Sequence, residues 1–296
     1  MSLPPELQPG DTVGVIAPSG SFERERLAPG LTFLRAKGFD VREGTSLYAQ
    51  ERYLAGTDRA RADDVNAMFA DGDVKGIFVA RGGYGAARIL EFLDWTSIAQ
   101  NPKVLVGLSD TTALQLAIFA RTELVTFSGF LLCSDVTVEG VQEETDKALW
   151  EAVCSHRFEG VGLTPLRGGE VNGPFIGGCL SLVASLVGTR FFPVLDGAVL
   201  VLEDVNEPPY RVDRMLNQLA MAGVFDRVAG VVFGEFVDCE PERETEGRIE
   251  DVVDDFVARV SCPVFCGLPY GHGKVRRVLP IGLGVRIARD VLEFDL

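Results

Sequence analysis

Residues 104–113 read VLVGLSDTTA. A short apolar run passes through Gly107, Leu108 and Ser109 and changes at once into helix-forming sequence. The run from 103 to 108 has the length and β-branched content of a buried strand, and 111–121 carries apolar residues throughout. A strand that turns this sharply into a helix is the unit of a parallel sheet. The same alternation extends upstream. Strands are expected at 12–17 (TVGVIA), 39–41 and 75–80 (KGIFVA). Between them, 23–37, 58–71 and 86–93 read as helices, the second starting at an Asp cap, and Gly38 stops the first. The region 1–135 is therefore expected to be one doubly wound, mostly parallel α/β domain, with ligands at the carboxyl ends of its strands.

Downstream the pattern changes. Charge and glycine rise across 136–172, where periodicity weakens beyond a helical stretch at 142–154. This reads as an inter-domain connection. The remainder, 173–296, reads as a second, smaller α/β domain rich in strands. It has helices at 179–187, 212–222 and 249–260, strands at 198–203 (AVLVLE) and 230–234 (GVVFG), and short alternating strands in 279–296.

Bulk composition narrows the function classes. The 296 residues are 47% hydrophobic, with 43 acidic against 28 basic residues and a net charge of -15. Such a field repels polyanions, so nucleic acid is not an expected partner. The N-terminus lacks the basic and apolar regions of a secretory signal, and no window approaches the ~18 apolar residues of a membrane span. A cytoplasmic location is the expectation. The six cysteines form no C-x-x-C pair and read as reduced, mostly buried thiols. With only His156 and His272 besides, a metal site is not expected.

Ser109, at the strand–helix junction, has two readings. It is either an N-cap, with Asp110 in the first turn, or a nucleophile held on a sharp elbow above a helix N-terminus. A serine nucleophile needs a base. His156 lies in the polar connection and reads as a solvated surface imidazole. His272, in LPYGHGKVRRVLPIG, has glycines on both sides that let a loop hold the ring where bulkier neighbours would block it. A carboxylate should orient that ring. Glu203 ends the run AVLVLE, and Asp204 and Glu207 compete with it. Arg211 and Arg214 follow, with Asp213 a neighbouring acid. After the third strand, ARGGYGAAR supplies glycines whose backbone N–H groups suit an oxyanion, with Gly83 preferred and the N–H of Asp110 second. Its G-G-x-G spacing does not fit a dinucleotide fingerprint.

Together these segments resemble the LD-carboxypeptidase family of serine peptidases. The blocks that carry the resemblance are DTVGVIAPSG, RYLAGTDRARADDVNAMFAD, ARGGYGAARIL, PKVLVGLSDTTAL, GGCLSLVASLVGT, VLEDVNEPPYRVDRMLNQL and GLPYGHGKVRRVLPIG, in that order over most of the chain. The resemblance implies Ser109 as nucleophile, Glu203 as acid, His272 as base and Gly83 in the oxyanion hole. It implies an N-terminal domain like those of class I glutamine amidotransferases, a homodimer and no metal or organic cofactor. The implied substrate is a murein tetrapeptide recycled in the bacterial cytoplasm, cleaved before its terminal D-alanine. A carboxypeptidase must also hold a free carboxylate, for which Arg81, Arg211 and Arg276 are candidates. Three positions depart from the family pattern: Leu108 where Tyr is usual, Cys179 where Asn is usual and Gln115 where His is common. The first two would reshape the pocket.

Two other readings stand beside this one. Microcin C self-immunity proteins resemble the same family and cleave a peptide–nucleotide amide. They tend to be longer, with an added aromatic loop, whereas this chain has ordinary length and only Trp95 and Trp150. A catalytically silent binding protein on the same fold is the third reading, against which the intact Ser109, Glu203 and His272 speak.

Overall fold

The computed structural model describes residues 1–296 apart from the side chain of Glu244. Its first half runs β1 (Thr12–Ile16), α1 (Arg24–Ala36), β2 (Asp40–Glu43), α2 (Asp58–Ala70), β3 (Val74–Val79), α3 (Ala86–Ile89), α4 (Trp95–Gln100), β4 (Val104–Gly107), α5 (Thr111–Thr122), β5 (Thr126–Ser128), α6 (Leu132–Asp135) and α7 (Glu143–Ser155). The second half runs β6 (Val161–Gly162), β7 (Thr164–Arg167), β8 (Val171–Cys179), α8 (Leu180–Leu186), β9 (Val199–Val205), α9 (Pro209–Met221), β10 (Gly230–Val237), α10 (Ile249–Arg259), β11 (Val264–Cys266), β12 (Leu279–Ile281), β13 (Gly284–Ala288) and β14 (Val291–Phe294).

The first sheet has the order β12-β5-β4-β3-β1-β2. Strands β2, β1, β3, β4 and β5 are parallel; β1, β3, β4 and β5 are buried runs, the charged β2 forms one edge, and β12 closes the other edge antiparallel to β5. The chain leaves β1 towards β2 and returns on its other side as β3, so the winding reverses there. A crevice at such a reversal, outside the carboxyl ends of the strands, is where a doubly wound sheet binds ligands. The second sheet has the order β6-β14-β13-β8-β9-β10-β11-β7. Its centre, β8 to β11, is parallel and both flanks are antiparallel.

Helix α5 joins the two sheets. Its residues Thr111 to Ile118 are all buried, and it packs against β4 and β5 on one side and β8 and α8 on the other. A helix buried on all its faces belongs between layers. One core consequently spans both halves, from Leu105, Leu114 and Ala117 to Phe175, Leu180 and Leu200. The opposite face of the first sheet is covered by α1 and α7, with Trp150 packed on Phe33 and stacked on Phe39 at 5.4 Å.

The 136–172 stretch is built into both units. Helix α7 packs on the first sheet, whereas β6 and β7 are the two edges of the second. In the opposite sense β12, from the C-terminal tail, returns to the first sheet. Local details differ from the sequence reading. The cap of α2 is Thr57, whose hydroxyl accepts from the Ala60 N–H at 3.1 Å, because Asp58 pairs instead with Arg61 and Arg88. Helix α9 begins at Pro209, whose fixed φ and missing N–H suit a first turn, rather than at residue 212. All six cysteines are free; Cys133, Cys179, Cys239 and Cys262 are buried.

Candidate active site

Ser109 lies two residues beyond the end of β4 and has φ of 64°, in the left-handed region that residues other than glycine seldom adopt. The N-cap of α5 is Asp110, with Ser109 one residue outside. The turn is held by close packing. A Cβ on Gly107 would run into the side chain of Thr111, and one on Gly82 would lie 2.8 Å from the Ser109 Cβ. Leu108 and Asp110 are buried on either side, and only Ser109 of the three is partly exposed.

The Gly82–Gly85 loop lies across from this turn. Asp110, 1% exposed, accepts a hydrogen bond from the Ala86 N–H at 2.7 Å, and burial pushes its carboxyl above the usual range. The fully buried Arg61 donates to the carbonyls of Gly85 and Pro18. Asp110 and Arg61 thereby fix the loop against the elbow. Gly83 has φ of 101°, and its N–H and that of Asp110 donate to no other group among the described residues. Two free backbone donors beside a strained serine suit a developing oxyanion.

His272 sits in the 267–278 loop and Glu203 near the carboxyl end of β9. Glu203 Oε2 lies 2.7 Å from His272 Nδ1, and Glu203 is 0% exposed. The glycines around His272 have steric reasons. A Cβ on Gly271, at φ of 124°, would lie 2.6 Å from Glu203 Oε2, and one on Gly273 would collide with Glu235. Burial lowers the His272 pKa, but the hydrogen bond and charge of Glu203, with Asp204 behind it, outweigh burial and raise it above 6.5. Burial pushes Glu203 upward, against the pull of the imidazole. With the carboxylate accepting from Nδ1–H, the Nε2 lone pair is left free to take a proton.

The loop that carries His272 is fastened to the first half of the chain. The Tyr270 hydroxyl hydrogen-bonds Ser128 Oγ at 2.8 Å in the interior. Arg276 pairs with Asp135, and its N–H donates to Thr145 Oγ1 at 3.0 Å. Ser109, Gly83 and His272 consequently line one pocket of about 490 Å³, together with Arg26, Gln50, Arg81 and Cys133. A second pocket of about 690 Å³ lies beyond His272, lined by Leu108, Lys274 and Arg276 among others.

The three candidate arginines separate. Arg81 shares the pocket with Ser109 and donates to the Ser21 carbonyl. Arg211 lines neither pocket; it pairs with Glu207 at 3.5 Å, and Asp213 is taken by Arg259. Arg276 lines only the second pocket and is engaged by Asp135. His156 is not a solvated imidazole. It is half-buried, its ring is stacked on Phe127 at 6.0 Å, and burial lowers its pKa. Arg26 was not singled out by the sequence. It lies in the first turn of α1 without a local motif, and only the expectation of ligands at the β1 end points to it. Of the departures, Gln115 donates to the Phe127 carbonyl at 2.8 Å, and the Cys179 thiol contacts Asp204 Oδ1 at 3.2 Å behind Glu203.

Both halves of the chain match one family. Residues 13–129 match the LD-carboxypeptidase N-terminal domain, and residues 172–287 match the LD-carboxypeptidase C-terminal domain. The chain belongs to the LD-carboxypeptidase family, a family of serine peptidases. It is similar to the probable murein peptide carboxypeptidase of Bacillus subtilis (strain 168), 39% identical over 284 residues that cover 94% of this chain and 89% of that one. Among solved structures it is similar to the muramoyltetrapeptide carboxypeptidase from Oxalobacter formigenes, with a TM-score of 0.87 and 28% identity over 96% of this chain and 97% of that chain. It is also similar to the Microcin C7 self immunity protein MccF in complex with aspartyl sulfamoyl adenosine, with a TM-score of 0.89 and 25% identity over 100% of this chain and 99% of that one.

Proposed function

We propose that this protein is a serine LD-carboxypeptidase that releases the terminal D-alanine from murein tetrapeptides. The observation that carries the reading is the shared pocket. Ser109, Gly83 and His272 line the same cavity, and the far nitrogen of His272 is held by the buried Glu203. In the proposed reaction Nε2 of His272 takes the Ser109 proton as Oγ attacks the scissile carbonyl. The N–H groups of Gly83 and Asp110 receive the oxyanion. The imidazolium then protonates the leaving D-amino acid, and a water activated by the same nitrogen hydrolyses the acyl-enzyme. A free carboxylate lies only one residue from the attacked bond. The cation that receives it must therefore share the serine's pocket, which favours Arg81 over Arg211 and Arg276.

The names of the relatives support this substrate class. Peptidoglycan recycling in the cytoplasm belongs to the same proposal; no helix among the described residues is long and apolar enough to cross a membrane. So does the homodimer, which sedimentation tests. Incubation with a murein tetrapeptide should release D-alanine. The likeness to the microcin self-immunity protein supports a second reading, cleavage of a peptide–nucleotide amide. Cleavage of processed microcin without D-alanine release from tetrapeptide would decide for it. A serine-directed acylating probe separates both from a silent binder: labelling should be lost in Ser109→Ala.

A further inference from the structure

Two arginines, Arg26 and Arg81, line the serine's pocket, against a single carboxylate, Glu23. Arg26 comes from the first turn of α1 and Arg81 from the residues after β3, and both line the cavity that holds Ser109 and His272. Both lie close enough to the Cys133 thiol, on the same wall, to oppose the burial that pushes it up to about 11. Neither forms an ion pair among the described residues, although Glu23 lines the same pocket. In a chain with 43 acidic residues against 28 basic ones, a cavity whose lining sets two arginines without ion-pair partners against one glutamate is a local excess of positive charge.

We infer that Arg26 and Arg81 together form a clamp for the free carboxylate of the residue being released, and that Arg26 is a specificity-determining residue of the reaction. The inference rests on the proposed carboxypeptidase reading and deepens it. Arg81 is braced by the Ser21 carbonyl, which fixes one guanidinium relative to the β1 and β3 ends. Arg26 comes from a separate element, the first turn of α1. A planar carboxylate has two oxygens and is best held by two such donors. Both arginines are exposed, so their attraction is screened by salt and each contributes modestly. The clamp acts on exopeptidase selectivity, since a peptide amide or an internal peptide bond offers these groups no charge. Neither side chain takes part in proton transfer.

The experiment uses the full chain, a murein tetrapeptide and the same peptide with a C-terminal amide, at low and high salt. Arg26→Gln and Arg81→Gln should each lower kcat/KM for the free-acid peptide about tenfold and together about a hundredfold, chiefly through KM. The preference for acid over amide should fall by the same factors, and the wild-type preference should weaken with salt. Arg26→Lys should restore part of it. In parallel, protection of Ser109 from a serine-directed acylating probe is measured with both peptides, which needs no turnover. Wild-type protein protected better by the acid than by the amide, with the difference lost in the double variant, supports the clamp. Equal protection by acid and amide in wild-type protein, or an equal loss on both peptides in the variants, overturns it. Acid-selective protection without D-alanine release overturns the proposed substrate and leaves the clamp standing.

Discussion

His272 Nδ1 and Glu203 Oε2 lie 2.7 Å apart, and the carboxylate has no exposure to solvent. A charge in that position is shared with the imidazole rather than with water. Burial alone would lower the histidine's pKa, but Glu203, helped by Asp204, raises it above 6.5.

The acid limb of the activity follows from that direction. A general base works in its neutral form, so kcat/KM should rise with pH and its acid-side midpoint should lie above 6.5. In Glu203→Gln burial acts unopposed by that charge, and the midpoint should move down while kcat falls. The contribution to stability has the opposite sense. A base whose folded pKa is raised contributes stability fully below 6.5, and that contribution is lost as pH rises through the raised folded value. Rate profiles and thermal melts of both proteins across this window check the two signs. A midpoint that does not move on Glu203→Gln would remove Glu203 from the role.

Loss of either end of the proton path should be severe and not additive. Ser109→Ala and His272→Ala should each reduce kcat roughly ten-thousand-fold, and the double variant should be little worse than the single ones. Single-turnover assays with tetrapeptide read this directly. Independent, multiplicative losses would show that the two side chains do not act as a unit.

The two glycines flanking His272 should differ in their tolerance. Gly271→Ala places a Cβ 3.0 Å from the Glu203 Cβ and 2.6 Å from its Oε2, at a φ of 124° that alanine rarely adopts. Glu203 is locked in the core and cannot retreat. Gly273→Ala meets only the end of Glu235, whose partial exposure lets it swing aside. Activity should therefore fall at least tenfold further in Gly271→Ala than in Gly273→Ala, as measured by kcat/KM. Equal tolerance would mean that the His272 loop is not held by this packing.

How far the sequence revealed the fold depended on whether a segment's stability lay in its own side chains. Strands β1, β3, β4, β9 and β10 are apolar and β-branched, and their periodicity was legible. The nine-residue β8 was not, because VNGPFIGGC has the composition of a loop. Its glycines are there for close approach: a Cβ on Gly173 or Gly177 would collide with the carbonyl of Gly197 or Val201, and one on Gly178 would lie 2.6 Å from Thr112 Oγ1. At the site, Ser109, His272 and Glu203 stand in recognisable local settings. Arg26 and Tyr270 have none, since each matters through neighbours far away in the chain.

The cost of violating that close approach can be measured. Gly177→Ala sets a side chain against the Val201 backbone at a φ of 143°, in the middle of the second sheet. Backbone cannot yield as a side-chain tip can, so the variant should lose about 3 kcal/mol or more of stability. Denaturant unfolding gives the number. A loss below about 1 kcal/mol would show that β8 and β9 can separate without consequence.

Asp110 tests whether the elbow and the glycine loop work as one piece. Its carboxyl holds the Ala86 N–H at 2.7 Å, and its own backbone N–H is one of the two free donors beside Ser109. Asp110→Ala keeps that backbone donor and removes the carboxyl that ties the loop and faces Ser19 and Arg61. The Ala86 N–H would be left unsatisfied in the interior, a cost of about 1–3 kcal/mol. The larger consequence should be kinetic, because Gly83 would no longer be fixed opposite the serine. Misplacing one oxyanion donor should lower kcat about a hundredfold with little change in KM. Asp110→Asn, which retains an oxygen acceptor of the same reach, should recover most of both losses. If Asp110→Ala lowers stability but leaves kcat intact, the loop holds its position by other means, and Gly83 does not depend on this bond.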